Sequence, residues 1–433
     1  MTPQEALQAI DGLEKFGMNL GLERIRLCLA FLGEPQLRYP TVHVGGTNGK
    51  GSTCAFLASV LSRSGRKVGL YTSPPLEHFG ERLRIDGECL PEELVPALLE
   101  EVLAAGRAHA ALQAMTQFEV ITAMAFLYFA REGVDAAVIE VGLGGRLDST
   151  NVLSPSACVV TNVGLEHAEH LGPAVADIAR EKAGIAKPGI PLVTAAEGEA
   201  LEALEAEARR RGAPVLALGR EFFVEPESPG ALAYRGRRRR FDGLRPGLPG
   251  GYQRPNVAVA LAAVEVLEDA GWMIPEDAVR AGIASASWPG RLEVLRARPG
   301  SPGPAVVLDG AHNPHASRVL ARALAEDLPH ERLFLVLGVL GDKDARSILA
   351  DLLPLGDRVF FTRSSSRRAL DPSELEGLAT GLGRAPGAVV ATVGEALDRA
   401  LAEAGEADLV CVTGSLTTVG EARSHLRSLA WLR

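Results

Sequence analysis

The sequence predicts an α/β protein: a P-loop-type parallel-sheet domain with helices on both faces, then a smaller Rossmann-like α/β domain. Three observations carry this. A β-branched run, Thr41 to Val44, breaks into Gly45-Gly-Thr-Asn-Gly-Lys-Gly-Ser-Thr53 and at once into an apolar segment, Cys54 to Leu61, in the order strand, tight loop, helix. Further short apolar runs at 68–72, 136–141 and 157–163 are separated by helical patterns, as buried parallel strands are. From residue 304 a second βα series begins, with strands expected at 305–309, 333–337, 359–362, 388–393 and 408–413.

A length of 433 residues accommodates two or three domains. The expected division is 1–287, carrying a small antiparallel insert near 222–250, and 291–433. A net charge of −9 disfavours a general nucleic-acid binder. Cys28, Cys54, Cys89, Cys158 and Cys411 are scattered singly, which suits reduced, buried thiols. No apolar run is long enough to span a bilayer. The expectation is a cytoplasmic monomer without membrane or nucleic-acid partners.

Residues 1–39 read as helices, with Leu20, Leu22, Ile25, Leu29 and Leu32 at helical spacing. In the loop that follows, glycines let backbone N–H groups curl around an anion. Lys50 adds charge for outer phosphates, and the next helix adds its N-terminal dipole. Gly46, Thr47, Asn48, Gly49, Lys50, Gly51 and Ser52 are therefore the candidate nucleotide contacts. The match to G-x-x-x-x-G-K-[ST] is imperfect: the first glycine would fall at Val44, and Gly51 follows the lysine.

Gly65 is a candidate C-cap, the second strand ends at Ser73-Pro74, and Pro91 to Ala111 reads as a helix. Gln117-Phe118-Glu119 opens another. The run Ala136-Ala-Val-Ile-Glu140 ends in a carboxylate followed by glycines, where a Walker-B-type acid sits. A strand at 157–163 leads to His167 and His170, and a helix runs from Pro173 to Lys187. On that helix Val175, Ile178, Lys182 and Ile185 share one face. A lysine among apolar residues is out of place, and burial lowers its pKa. The run Arg235-Gly-Arg-Arg-Arg-Arg240 reads as a solvated hairpin, and Trp288-Pro-Gly-Arg291 as a linker. The first four strand ends bring the loop, Ser73, Glu140 and His167 to one rim, where open α/β sheets bind ligands.

The Gly46-Thr-Asn-Gly-Lys-Gly-Ser52 loop, Glu140-Val-Gly-Leu-Gly-Gly145, Arg180-Glu-Lys-Ala-Gly184, Trp288-Pro-Gly-Arg291 and Asp309-Gly-Ala-His-Asn313 stand in the order found in folylpolyglutamate synthases. The chain resembles that family, and more distantly the Mur peptide ligases, along nearly its whole length. It departs at Pro75, where the family commonly has histidine, and at Thr417, where it usually has tyrosine.

The resemblance implies an ATP-dependent ligase of folate biosynthesis and one-carbon metabolism. It would add L-glutamate to a folate, and to dihydropteroate, through an acyl phosphate, in a cleft between two domains. It also implies two Mg²⁺ ions held by Ser73, Glu140, His167 and a carbamylated Lys182. Asn256 and Arg291 would contact ATP, and Phe118 would stack on the pterin. Asp309, His312 and Ser415 are candidates for nucleotide, amine-positioning and glutamate contacts. Two alternatives stay open: a Mur-type ligase acting on a UDP-sugar peptide, and a P-loop NTPase that is no ligase.

Overall fold

The computed structural model describes residues 1–13, 17, 19–296, 303–384, 387–429 and 431. They form two compact units, one of residues 1–247 with 253–287, the other of 248–252 with 288–433. Among the described residues no helix is long and apolar enough to cross a membrane.

The first unit is built on an eight-stranded sheet. Its strands in chain order are β1 Thr41–Gly45, β2 Val68–Tyr71, β3 Leu83–Ile85, β4 Glu88–Cys89, β5 Ala136–Glu140, β6 Ala157–Val160, β7 Leu192–Thr194 and β8 Val215–Ala217. Their spatial order is β4-β3-β2-β5-β1-β6-β7-β8. From β2 to β8 the pairing is parallel, and β3 and β4 extend the edge antiparallel. The central strands are buried along their whole length, as both-faces coverage requires. On one face Tyr71, Ala137 and Ile139 pack with Phe126 and Phe129 of the helix Gln117–Glu132. Further along the same face, Cys158, Val160 and Leu192 pack with Ala179, Ala183 and Ile185.

The strand order puts β1 between β5 and β6, so the loop after β1 is flanked by the ends of both. The expected strand at 157–163 ends earlier, at Val160. Asn162 has turned away to accept the Thr47 N–H at 2.9 Å. Leu20 is not on a helix and is 47% exposed; the helix there is Glu23–Phe31. The insert is the antiparallel sheet β9 Phe223–Ser228, β10 Ala231–Arg235 and β11 Arg240–Leu244.

The arginine run is the expected solvated hairpin: it joins β10 to β11, and Arg235, Arg237, Arg238 and Arg240 are exposed. Glu265, Glu268 and Asp269 lie on one face of the helix Gln253–Asp269. Glu265 accepts backbone N–H groups of Arg237, Arg238 and Arg239 at 2.9–3.3 Å. Arg238 pairs with Asp269 at 2.7 Å, and Arg239 pairs with Glu268.

The second unit has six strands: β12 Glu293–Arg296, β13 Ala305–Leu308, β14 Leu333–Leu337, β15 Arg358–Phe361, β16 Ala388–Val389 and β17 Leu409–Thr413. Their order is β12-β13-β17-β14-β15-β16, with only β12 antiparallel to its neighbour. Helices between the parallel strands make it Rossmann-like.

One packing contact sets the position of the helix Val175–Ala183, which carries Lys182. The glycine turn after β5 lies flat against its end. A Cβ on Gly145 would stand 2.8 Å from the Glu181 and Lys182 carbonyls, and one on Gly184 would stand 2.5 Å from Arg146 Cα. Gly184 has a right-handed φ of −58°, so only space forbids a side chain there. Gly184→Ala is expected to lower stability by about 1–3 kcal/mol, the usual range for overpacking. Urea titration of the purified variant measures this, and an unchanged midpoint would remove that contact from the account.

Candidate active site

The loop after β1 needs its glycines for two reasons. Gly46 has φ +140° and Gly49 φ +82°, values strained for residues with a side chain. A Cβ on Gly46 would strike Thr161 Oγ1, and one on Gly49 would strike the Asn256 amide. The loop is held from the β6 side. Thr161 Oγ1 donates to Asn48 O at 2.6 Å, and Asn162 Oδ1 accepts the Asn48 N–H at 2.9 Å. Gly49 is the N-cap of the helix Lys50–Arg63. The N–H groups of Lys50, Gly51 and Ser52 have no helical carbonyl four residues back, which makes an anion seat.

Ser52 is buried, and its Oγ accepts from Gln253 Nε2 at 3.3 Å. Gln253 Oε1 in turn accepts from Asn256 Nδ2 at 2.8 Å. Asn256 therefore stands against the loop. Gln253, Thr161 and Asn162 were missed by sequence reasoning. The available signal was their place: polar residues at a strand end, and a glutamine three residues before Asn256 on one helix face.

On the β5 side Glu140 is 5% exposed, and its Oε2 accepts the Ser73 N–H at 3.1 Å. This joins the ends of β2 and β5 at one point. Beyond it, the tip of the Phe118 ring abuts Gly142, and its ring centroid is 6.2 Å from that of Tyr71. The turn is braced by Asp148, the first residue of the Asp148-Ser-Thr-Asn151 run. Its carboxylate accepts the Leu143 N–H at 2.8 Å, the Thr150 N–H at 3.0 Å and the Thr150 hydroxyl at 2.5 Å. Because that hydroxyl proton goes to Asp148, His43 Nε2 must donate to Thr150 Oγ1, 2.8 Å away. His167 has φ +51°, and its ring nitrogens lie 3.8 Å from Glu166 and Glu169 carboxylates.

Lys182 is 3% exposed, as its helical position predicts. Its Nζ donates to Gly46 O at 2.8 Å. Lys50 Nζ donates to that same carbonyl at 3.1 Å and to Thr47 O at 3.1 Å. Burial pulls the Lys182 pKa down to about 7; the Lys50 charge acts the same way, and Glu166 and Asp148 oppose it. Near neutral pH a large fraction of Lys182 is therefore an uncharged, nucleophilic amine.

The residues at the end of β5 suit a hard divalent ion. Among the described residues no group of three or more His, Cys, Asp or Glu forms a ready-made cage. Mg²⁺ commonly uses one or two carboxylates, waters and substrate phosphates instead. The Glu140 carboxylate and Ser73 hydroxyl fit that set, and the His167 imidazole fits it less well.

In the second unit Asp309 is buried beyond the end of β13. It accepts the Leu292 N–H at 2.8 Å, the Ala311 N–H at 2.9 Å and the Tyr252 hydroxyl at 3.5 Å. Burial raises its pKa, and the Arg291 charge opposes the rise. Asp309 and Arg291 are thus brought together. His312 Nδ1 donates to Gly310 O at 2.7 Å, which leaves Nε2 as the acceptor nitrogen of the neutral ring. Ser415 is 1% exposed and is the N-cap of the helix Leu416–Ser428, accepting the Thr418 N–H at 3.1 Å. The capping role accounts for Ser415 by itself. Thr417, two residues on, is exposed, and its hydroxyl lies 3.0 Å from that of Ser364.

With this geometry established, the likeness to known proteins is specific. Residues 44–264 match the Mur ligase middle domain, and residues 290–416 match the Mur ligase, glutamate ligase domain. The chain is 35% identical over 439 residues to the dihydrofolate synthase/folylpolyglutamate synthase of Bacillus subtilis, covering 98% of this chain and 99% of that one. It is 37% identical over 438 residues to a probable bifunctional folylpolyglutamate synthase/dihydropteroate synthase of Haloferax volcanii. That match covers 98% of this chain and 50% of the relative, so the chain spans about half of the haloarchaeal protein. The crystal structure of Escherichia coli FolC in complex with DHPP and ADP is 34% identical, with a TM-score of 0.88 and 98% of each chain covered. The bifunctional folylpolyglutamate synthase/dihydrofolate synthase of Yersinia pestis, complexed with AMPPNP and Mn ion, is 30% identical. Its TM-score is 0.87, with 99% of this chain and 98% of that one covered. The chain belongs to the dihydrofolate synthase/folylpolyglutamate synthase family of the Mur ligases.

Proposed function

We propose that the protein joins L-glutamate to a folate, and to dihydropteroate, at the expense of ATP, releasing ADP and phosphate. The observation that carries this is the meeting of an anion-binding loop, a buried carboxylate and a buried lysine at one sheet edge. Its kinship with ligases of this reaction supports the choice of substrates.

The substrate carboxylate attacks the γ-phosphorus of ATP to give an acyl phosphate and ADP. The glutamate amine then attacks the acyl carbon, and phosphate leaves. Two anions must approach in the first step, so counter-charge placed beforehand is the main requirement. Lys50 supplies it at the loop, and the first-turn N–H groups of the following helix add to it. Asn256, with Gln253 and Ser52, fixes the loop's far side. A divalent ion bound at Glu140 and Ser73 would neutralise phosphate charge and align the oxygens. Asp309 and Arg291 would take the nucleotide's other end, and His312 Nε2 would accept a proton from the glutamate ammonium. Phe118, whose ring tip abuts Gly142, would stack on a planar ring system.

Lys182 is proposed to be a carbamate in the active enzyme. Its neutral amine adds CO₂ and loses one proton, giving a carboxylate with hard oxygens suited to Mg²⁺. The exchange also removes the second positive charge from the Gly46 carbonyl, replacing a Lys50–Lys182 repulsion with an attraction. Amine deprotonation on passing up through about pH 7 favours it, because the folded-state pKa lies below the usual lysine value.

The direct assay is ADP release that requires L-glutamate and either dihydropteroate or tetrahydrofolate; turnover only with UDP-muramoyl peptides would transfer the chain to the other Mur branch. Three variants test the parts. Lys50→Ala is expected to lose about 10²-fold or more in kcat while keeping its fold, by analogy with removal of one transition-state donor; an unchanged kcat would break the phosphate assignment. Glu140→Gln should raise the Mg²⁺ concentration at half activity, and an unchanged titration would take Glu140 out of the metal site. Lys182→Ala should be nearly inactive and recover in part with added acetate. A carbamate carbonyl signal from labelled bicarbonate, present in the parent and absent in the variant, is the spectroscopic counterpart. Its absence in active parent enzyme would refute the modification.

A further inference from the structure

The surroundings of Arg82 are unusual. It closes the short 3₁₀ turn Phe79–Arg82 that leads into β3, and its carbonyl accepts the Thr72 N–H at 3.0 Å. That bond fixes it one residue from Ser73, whose own N–H donates to Glu140. The guanidinium is half-buried, and among the described residues it has neither an ion pair nor a hydrogen bond. Its neighbours of like type are occupied: Arg84 bonds to Glu81 O at 3.1 Å, and Arg24 pairs with Glu119 at 3.0 Å. Burial pulls the Arg82 pKa below its ordinary value, while Tyr71, Asp11 and Glu140 lie near enough to act the other way.

An arginine withdrawn from water without a partner costs stability. Such a group suits an anion that arrives from outside. The strand order says which one. Arg82 leads β3, Ser73 follows β2, Glu140 ends β5 and the phosphate loop follows β1, in the sequence β3-β2-β5-β1 across the sheet. Arg82 is therefore on the side of Glu140 away from the phosphate loop, close to Tyr71, whose ring adjoins Phe118.

We infer that Arg82 receives the carboxylate of the acid substrate, the group that becomes the acyl phosphate. This rests on the ligase reading above. Dihydropteroate has a single carboxylate, so a contact serving both acids must be to the reacting one. A guanidinium fork matches carboxylate geometry. It would hold one oxygen toward the γ-phosphate and offset the repulsion between the two anions.

The test uses Arg82→Gln and Arg82→Lys in the full chain, with steady-state kinetics against each substrate and a thermal melt. Parent turnover with dihydropteroate, glutamate and ATP decides the functional reading separately. Given that turnover, Arg82→Gln is expected to raise KM for dihydropteroate and for tetrahydrofolate about 10–100-fold, the range for one charge-assisted contact. KM for ATP should stay at the parent value, and Arg82→Lys should fall between. The melting temperature should hold or rise, since an unpaired buried charge is removed. An unchanged KM for the acids overturns the inference. So does a lowered melting temperature with KM for acid and ATP rising together, which would mark a structural arginine.

Discussion

Two lysines share one carbonyl. Lys50 and Lys182 both donate to Gly46 O, at 3.1 and 2.8 Å, and most of the first unit's rim follows from that convergence. The carbonyl can face both amines only because Gly46 takes φ +140° with Thr161 pressed against its Cα. Lys182 can reach it only because Gly145 and Gly184 let their chain segments touch without side chains. Two positive charges at hydrogen-bond distance from one oxygen repel, and the buried one yields first. The loop thus combines a cation for phosphates with an amine poised for chemistry, and each depends on the other's place.

The same economy of space appears on either side of the loop. Toward β6, side chains of Thr161 and Asn162 act as backbone would in a longer strand. Toward β5, Glu140 ties two strand ends through the Ser73 N–H, and Asp148 gathers donors from the turn that follows. Polar groups this deeply buried are tolerated when their partners are complete. Arg82, whose guanidinium has neither an ion pair nor a hydrogen bond among the described residues, departs from that rule, as residues at functional sites do.

Much of this was legible in the sequence. The four strands and their loops could be placed from apolar runs broken by glycine, because buried parallel strands carry that pattern and little else. The burial of Lys182 could be read from its spacing with Ile178, since a helix face is a local property; Ile185 lies beyond the helix end at Ala183. What could not be read depends on pairing across distance. Nothing near Thr161 or Gln253 says that the phosphate loop will lie against them. The arginines at 237–239 form the exposed hairpin that their composition suggests, but nothing near them says that Glu265, Glu268 and Asp269 will hold its turn. Ser415 matched a motif for substrate contact, and its buried hydroxyl is accounted for by helix capping.

The central claim is that a substrate carboxylate attacks ATP at this rim before glutamate arrives at the acyl carbon. Heavy-oxygen label in the carboxylate of dihydropteroate follows that step directly. The account predicts that one labelled oxygen appears in the released phosphate for each amide formed, detected by mass spectrometry of the phosphate. Phosphate carrying no label, with ADP and the amide product formed at full yield, would contradict it.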